Sequence, residues 1–78
     1  MSYRVRRDIP GNDYVQLKSA TLAECKSVVK SIKQKWDDVK NIVLDDEEPF
    51  ETQLMKSGKE LVVTQGERMV DRYIVEKT

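Results

Sequence analysis

The sequence predicts an α+β fold, with one amphipathic helix packed on a single antiparallel sheet of about four to six strands. Three observations predict it. One stretch carries apolar residues at helical spacing, the flanking stretches alternate apolar with polar residues, and clusters of turn residues separate them. The predicted element order is ββ-α-ββββ, or β-α-βββ if the short runs fail to pair. With 78 residues and no linker or internal repeat, the chain is expected to form one small domain, residues 1–78.

Two strands are predicted before the helix. From Ser2 to Ile9 apolar side chains alternate with polar ones, which indicates a strand with one buried face, although Arg7 interrupts the apolar row. The segment 10–13, Pro-Gly-Asn-Asp, is dense in turn residues. Tyr14 to Ser19 alternates again, so the two segments are expected to form a hairpin.

The helix has the strongest local signal. Thr21 and Glu24 have the spacing of a capping box, in which each side chain bonds the other residue's backbone amide. Behind them, apolar residues recur at steps of three and four, namely Leu22, Cys25, Val29, Ile32, Trp36 and Val39. A helix is therefore predicted from residue 22 to about 37. Fraying is expected near Asp37 and Asp38, because their charges oppose the helix dipole.

Everything after the helix is predicted to be strand and turn. Residues 42–44 form a short apolar run, residues 50–56 alternate, and residues 60–64 and 69–76 are rich in β-branched and aromatic side chains. Ser57-Gly58 and Gln65-Gly66-Glu67 supply the turns between them. The expected arrangement is an antiparallel meander of three or four strands.

Composition excludes several classes of site. The chain has no His and one Cys, which removes His-dependent catalysis, a disulfide framework and a thiolate zinc site. Lys56-Ser57-Gly58-Lys59 lacks the spacing of a phosphate-binding loop. Cys25 lies on the apolar stripe with no base to activate it and is expected to be structural. The sequence thus predicts no enzyme activity and no cofactor or metal.

Charge divides the chain into two halves. Residues 1–40 carry nine basic and five acidic side chains, whereas residues 41–78 carry five basic and nine acidic ones. A chain of this kind can present one surface to an anion and another to a cation, attract a second copy, or simply be well solvated.

Two groups of residues are candidates for contacting a partner. A protein partner would contact the acidic connector and the single Trp, namely Asp45, Asp46, Glu47, Glu48 and Trp36. The alternatives are that the connector is only a solvated loop and that Trp36 is only a core residue. A nucleic acid would meet a basic surface on the first strand and the helix, unless these are solvated side chains: Arg4, Arg6, Arg7, Lys26, Lys30 and Lys33.

The last apolar segment, Met69 to Val75, has two interpretations. At a sheet edge it would offer unpaired backbone groups and promote pairing with a second chain, so a homodimer is one expectation. Covered on both sides, it is a central strand.

In size and layout the chain resembles small accessory proteins of phages and mobile elements. The resemblance is one of architecture, so it assigns a role to no residue. The absence of catalytic groups and the charge asymmetry favour a non-enzymatic protein-binding or regulatory module, with a small nucleic-acid-binding protein as the alternative. Because there is one Cys and neither a signal peptide nor a membrane-spanning run, the protein is expected to be cytoplasmic and to have no membrane partner.

Overall fold

A computed structural model describes residues 2–40, 42 and 47–78. Its elements run β1 (Tyr3–Arg7), β2 (Tyr14–Ala20), α1 (Leu22–Val39), β3 (Phe50–Leu54), β4 (Glu60–Gln65) and β5 (Arg68–Lys77). All strand pairs are antiparallel, and the five strands are ordered β2-β1-β5-β4-β3. The predicted α+β class is therefore confirmed, with α1 packed on one face of one sheet.

Only one residue of the short strand predicted over residues 42–44 lies within the described part of the chain. Ile42 is exposed and belongs to no strand, whereas Val43 and Leu44 lie outside the described residues. The observed order is accordingly ββ-α-βββ over the described ranges.

The start of α1 follows the prediction in detail. The Thr21 hydroxyl accepts the Glu24 backbone N–H at 3.1 Å, and the Glu24 carboxylate accepts the Thr21 backbone N–H at 3.4 Å. Two N–H groups that a helix N-terminus would otherwise leave unbonded are satisfied in this way.

The predicted fraying of α1 at Asp37 and Asp38 is wrong, because the helix continues to Val39. Asp37 accepts bonds from the Lys33 ammonium and from the Thr52 hydroxyl of β3, each at 2.6 Å. These partners compensate for the unfavourable position of the carboxylate at the negative end of the helix dipole, and they lower the pKa of Asp37 to about 2.

Of the two interpretations of the last segment, the central strand is confirmed and the edge strand is wrong. β5 lies at the centre of the sheet, between β1 and β4, and the two edges are β2 and β3. Residues 68–74 of β5 pair with β4 and residues 73–77 pair with β1, so β5 joins the two halves of the sheet.

The core lies between α1 and the sheet. Its buried apolar members, nearly all without solvent contact, are Val5, Cys25, Val29, Leu61, Val63 and Tyr73. β4 contributes the alternate residues Leu61 and Val63, as the period of two predicts. β2 instead contributes Leu17 and Ala20, because register shifts interrupt its pairing with β1. Among the described residues there is no helix with the length and apolar character needed to cross a membrane.

Candidate functional site

The helix does not cover the sheet evenly, and this leaves a groove along β2. Within the sheet layer, α1 contacts β3 most extensively and β2 least. Trp36 packs on Phe50 of β3 with ring centroids 5.0 Å apart, and Asp37 is bonded to Thr52 of the same strand. These contacts hold the helix toward β3, so a gap remains between α1 and β2.

We call this gap the α1–β2 groove. It consists of two adjoining depressions of about 390 and 430 Å³, which share Gln16, Ile32 and Lys35. Leu17 and Val28 line the first depression, and Tyr14 and Trp36 line the second. Both volumes fall in the range of about 300 to 1,000 Å³ that is usual for binding pockets.

The second depression is built over a buried ion pair. Asp71 of β5 is 4% exposed, and its carboxylate accepts the Arg7 Nε–H at 2.7 Å and the Trp36 Nε1–H at 3.0 Å. The Arg7 guanidinium also donates to the Asn12 carbonyl at 3.0 Å. A buried carboxylate needs such partners, and through them it fixes the orientation of the indole in the groove wall.

Two tyrosines complete this end of the groove. The Tyr14 ring is 47% exposed and lies over the Arg7 guanidinium, whose carbon is 5.8 Å from the ring centroid. Tyr73 is nearly buried, and burial raises the pKa of its phenol above the usual range. The wall therefore combines a neutral buried phenol, an exposed aromatic ring and an indole held by hydrogen bonds.

The sequence singles out Trp36 as a core residue or an interface anchor; its packing is observed, whereas its contact with a partner stays a prediction. One side packs with Phe50 against the core, whereas another part lines the groove. The other groove residues Tyr14, Leu17, Ile32 and Asp71 were not predicted as site residues. One sequence signal pointed to this site: a charged residue interrupts the apolar row of each of two strands. These residues are Arg7 in β1 and Asp71 in β5.

The predicted arginines do not form a free basic surface. On the sheet face opposite α1, one Glu76 oxygen accepts from Arg4 Nε at 2.7 Å and from Arg6 Nε at 2.9 Å. Arg6 also donates to Asp8 at 3.0 Å. Glu76 thereby gains stabilisation of its charged form, and the bond from Arg6 lowers its pKa.

Arg72 extends this ion-pair network toward β4. Its guanidinium contacts Asp8 and donates to Glu60 from Nε at 2.7 Å. The basic and acidic halves of the sequence therefore meet in space, since Arg4 and Arg6 from the first half bond Glu76 from the second.

The three predicted lysines differ in their surroundings. Lys33 is bonded to Asp37, whereas Lys26 and Lys30 have no ion-pair partner among the described residues. The Lys26 stem lies against the turn at Gly58, where an added Cβ would be 3.5 Å from its Cδ. This turn also carries Lys56 and Lys59, which were not predicted as site residues.

The acidic connector is only partly described. Glu47 and Glu48 are exposed, and the Glu48 backbone carbonyl accepts the Gln65 side-chain amide at 3.1 Å. Asp45 and Asp46 lie outside the described residues. Over the described ranges, no group of three or more carboxylate or thiol side chains is arranged to hold a metal ion.

Cys25 lies fully inside the core, as predicted for a structural residue. Burial raises the pKa of its thiol, which disfavours the thiolate that a nucleophile requires.

Comparison with known proteins does not assign the chain to a family. The chain matches no protein-family description, no curated protein and no solved structure.

Proposed function

We propose that this protein is a non-enzymatic docking module whose α1–β2 groove binds an apolar segment of a partner protein. The observation that carries the proposal is the groove itself, a partly apolar cleft with half-exposed aromatic side chains beside an edge strand. Tyr14, Ile32 and Trp36 would contact the partner segment in the groove.

The composition of the groove supports protein binding. Tyr and Trp are enriched in protein interfaces, where they dominate binding energy from partly enclosed positions. Tyr14 and Trp36 are both tied to the Arg7–Asp71 ion pair, so their rings are largely ordered before a partner arrives. Less conformational entropy is then lost on binding.

The setting of the module is part of the same proposal. The resemblance in size and layout to accessory proteins of phages and mobile elements supports a regulatory role, in which binding alone alters the partner. A single buried thiol, Cys25, supports a reducing cytoplasmic compartment. The absence of His from the sequence and the raised pKa of Cys25 support a function without catalysis.

Nucleic-acid binding is less well supported than protein docking. Of the six basic residues named as candidates, the arginines Arg4, Arg6 and Arg7 and also Lys33 are bonded to carboxylates. Binding to phosphates would require breaking or sharing those ion pairs, which reduces the gain from releasing counterions.

A display selection tests the proposed function. A library of random twelve-residue peptides is selected on the wild-type protein, and the enriched peptides are then measured against two variants of α1. Ser31→Trp places an indole in the groove, because Ser31 is exposed and lines the first depression. Gln34→Trp is the matched control, since Gln34 is also exposed on α1 but lies outside the groove.

We expect peptides with an apolar anchor whose affinity falls about tenfold or more in Ser31→Trp and changes little in Gln34→Trp. Circular dichroism confirms that both variants fold. Peptides that bind both variants as well as wild type, or a selection without enrichment, would refute the groove as the docking site.

A further inference from the structure

We infer that the partner segment binds as an extended strand added to the free edge of β2, with alternate side chains entering the α1–β2 groove. This inference rests on the proposed function and deepens it, because it assigns the backbone conformation and the side-chain chemistry of the partner. It draws on three observations: the edge, the spacing of groove residues along α1, and the charge of the groove rim.

The edge at β2 is the better of the two available for pairing. β2 is seven residues long and, in the described part of the chain, pairs only with β1. β3 is shorter, follows Pro49 and is held under the helix through Thr52 and Phe50. An exposed edge strand presents unpaired N–H and C=O groups to which an extended peptide can bond.

The spacing along α1 matches that of an added strand. Val28, Ile32 and Trp36 are four residues apart on the groove wall, which corresponds to about 6 Å of helix rise per step. Alternate side chains of a β-strand are about 6.6 Å apart. Three successive inward side chains of a strand beside β2 would therefore each face one of these residues.

The rim of the groove favours an acidic segment. Lys35 is exposed, lines both depressions and has no ion-pair partner among the described residues. Glu24 lines only the first depression, and Asp71 in the second is paired with Arg7, so Lys35 is the unpaired charge of the second depression among the described residues. We therefore assign the partner an alternating pattern, with apolar residues facing the groove and at least one Asp or Glu near Lys35.

The charge pattern also distinguishes this occupant from a second copy of the chain pairing through β2. The β2 sequence, Tyr-Val-Gln-Leu-Lys-Ser-Ala, contains a lysine and no acidic residue, so it does not complement Lys35. A different chain is the better fit.

The test uses the peptides that the selection enriches on the full-length protein. For the best of them, exchange of backbone amides is followed by NMR with and without peptide, and each peptide amide is replaced in turn by its N-methyl form. We expect slowed exchange at β2 amides. We also expect N-methylation to weaken binding about tenfold or more at alternate positions, and less at the positions between them.

Charge is tested separately with Lys35→Glu and, as a control on the outer face of α1, Lys30→Glu. Lys35→Glu should weaken the acidic peptides several-fold and Lys30→Glu should not.

The outcomes separate this inference from the proposed function. Peptides that bind the groove without protecting β2, or that carry apolar residues at helical spacing, would overturn strand addition and leave groove docking intact. A failure of the selection, or equal binding to Ser31→Trp, would overturn both. A concentration-dependent dimer in sedimentation that protects β2 without peptide would identify a second copy as the occupant and overturn the assignment of an acidic partner.

Discussion

Replacing Asp71 by Leu should destabilise the domain strongly, because it removes the acceptor around which the closed end of the groove is built. The carboxylate accepts from Arg7 at 2.7 Å, from Trp36 at 3.0 Å and from the Arg72 backbone N–H at 3.2 Å, and Asp71 is 4% exposed. Without it, the Arg7 charge and the indole N–H lose a partner inside the fold.

The magnitude follows from the environment of Arg7. Breaking a buried ion pair by removing one partner costs about 3 to 5 kcal/mol. The Arg7 side chain is 17% exposed and keeps its bond to the Asn12 carbonyl, so the lower end of that range applies, about 3 kcal/mol. A domain of 78 residues has a total free energy of unfolding of about 4 to 12 kcal/mol. The loss is therefore a large fraction of its stability.

Urea unfolding followed by circular dichroism measures this cost in Asp71→Leu, in Arg7→Met and in the double variant. The double variant removes both charges and should be destabilised by only about 1 to 2 kcal/mol, mostly from the unbonded indole N–H. A loss below about 1 kcal/mol in Asp71→Leu, or a double variant whose loss equals the sum of the two single losses, would refute the reasoning.

Three further predictions concern the core, the pH dependence and the basic residues. Leu61→Ala should lower the free energy of unfolding, measured with urea, by about 2 to 5 kcal/mol, because Leu61 is fully buried. Ile32 is half-exposed in the groove wall, so Ile32→Ala should cost less than half as much. Equal losses would mean that the groove is closed. The pKa of Asp37 is lowered from 3.8 to about 2, so its contribution to stability is complete above pH 4 and is lost as the pH falls toward 2. Asp37→Asn should therefore weaken the pH dependence of unfolding in that window, and an unchanged slope would contradict the ion pair. Fluorescence anisotropy with labelled duplex DNA and RNA should show no binding at physiological salt, and binding with a steep salt dependence would restore the nucleic-acid alternative.

Local signals made the helix predictable. The capping box of Thr21 and Glu24 and the apolar stripe lie within one short segment, so sequence spacing alone determines both. The end of the helix was mispredicted because Asp37 is stabilised by Thr52, a residue on a strand fifteen positions away.

Strand order depends on contacts that are distant in sequence. β1 pairs with β5, which joins Arg4 to Glu76 across 72 positions, and no local pattern indicates this pairing. The central place of β5 and the neutralisation of the predicted arginines both follow from it.

The groove was equally inaccessible to sequence reasoning. Its existence depends on where α1 lies across five strands, and the contacts of Trp36 with Phe50 and of Asp37 with Thr52 determine that position. In the sequence, a half-exposed groove residue such as Ile32 cannot be distinguished from a buried member of the apolar stripe.

Chemical-shift mapping by NMR with a peptide from the selection tests most directly that the α1–β2 groove is the docking surface. Groove docking predicts that the amides that shift cluster in β2 and along the groove side of α1, around Leu17, Val28 and Ile32, while those around Arg4 and Glu76 on the opposite sheet face stay unchanged. Shifts confined to that opposite face would contradict it.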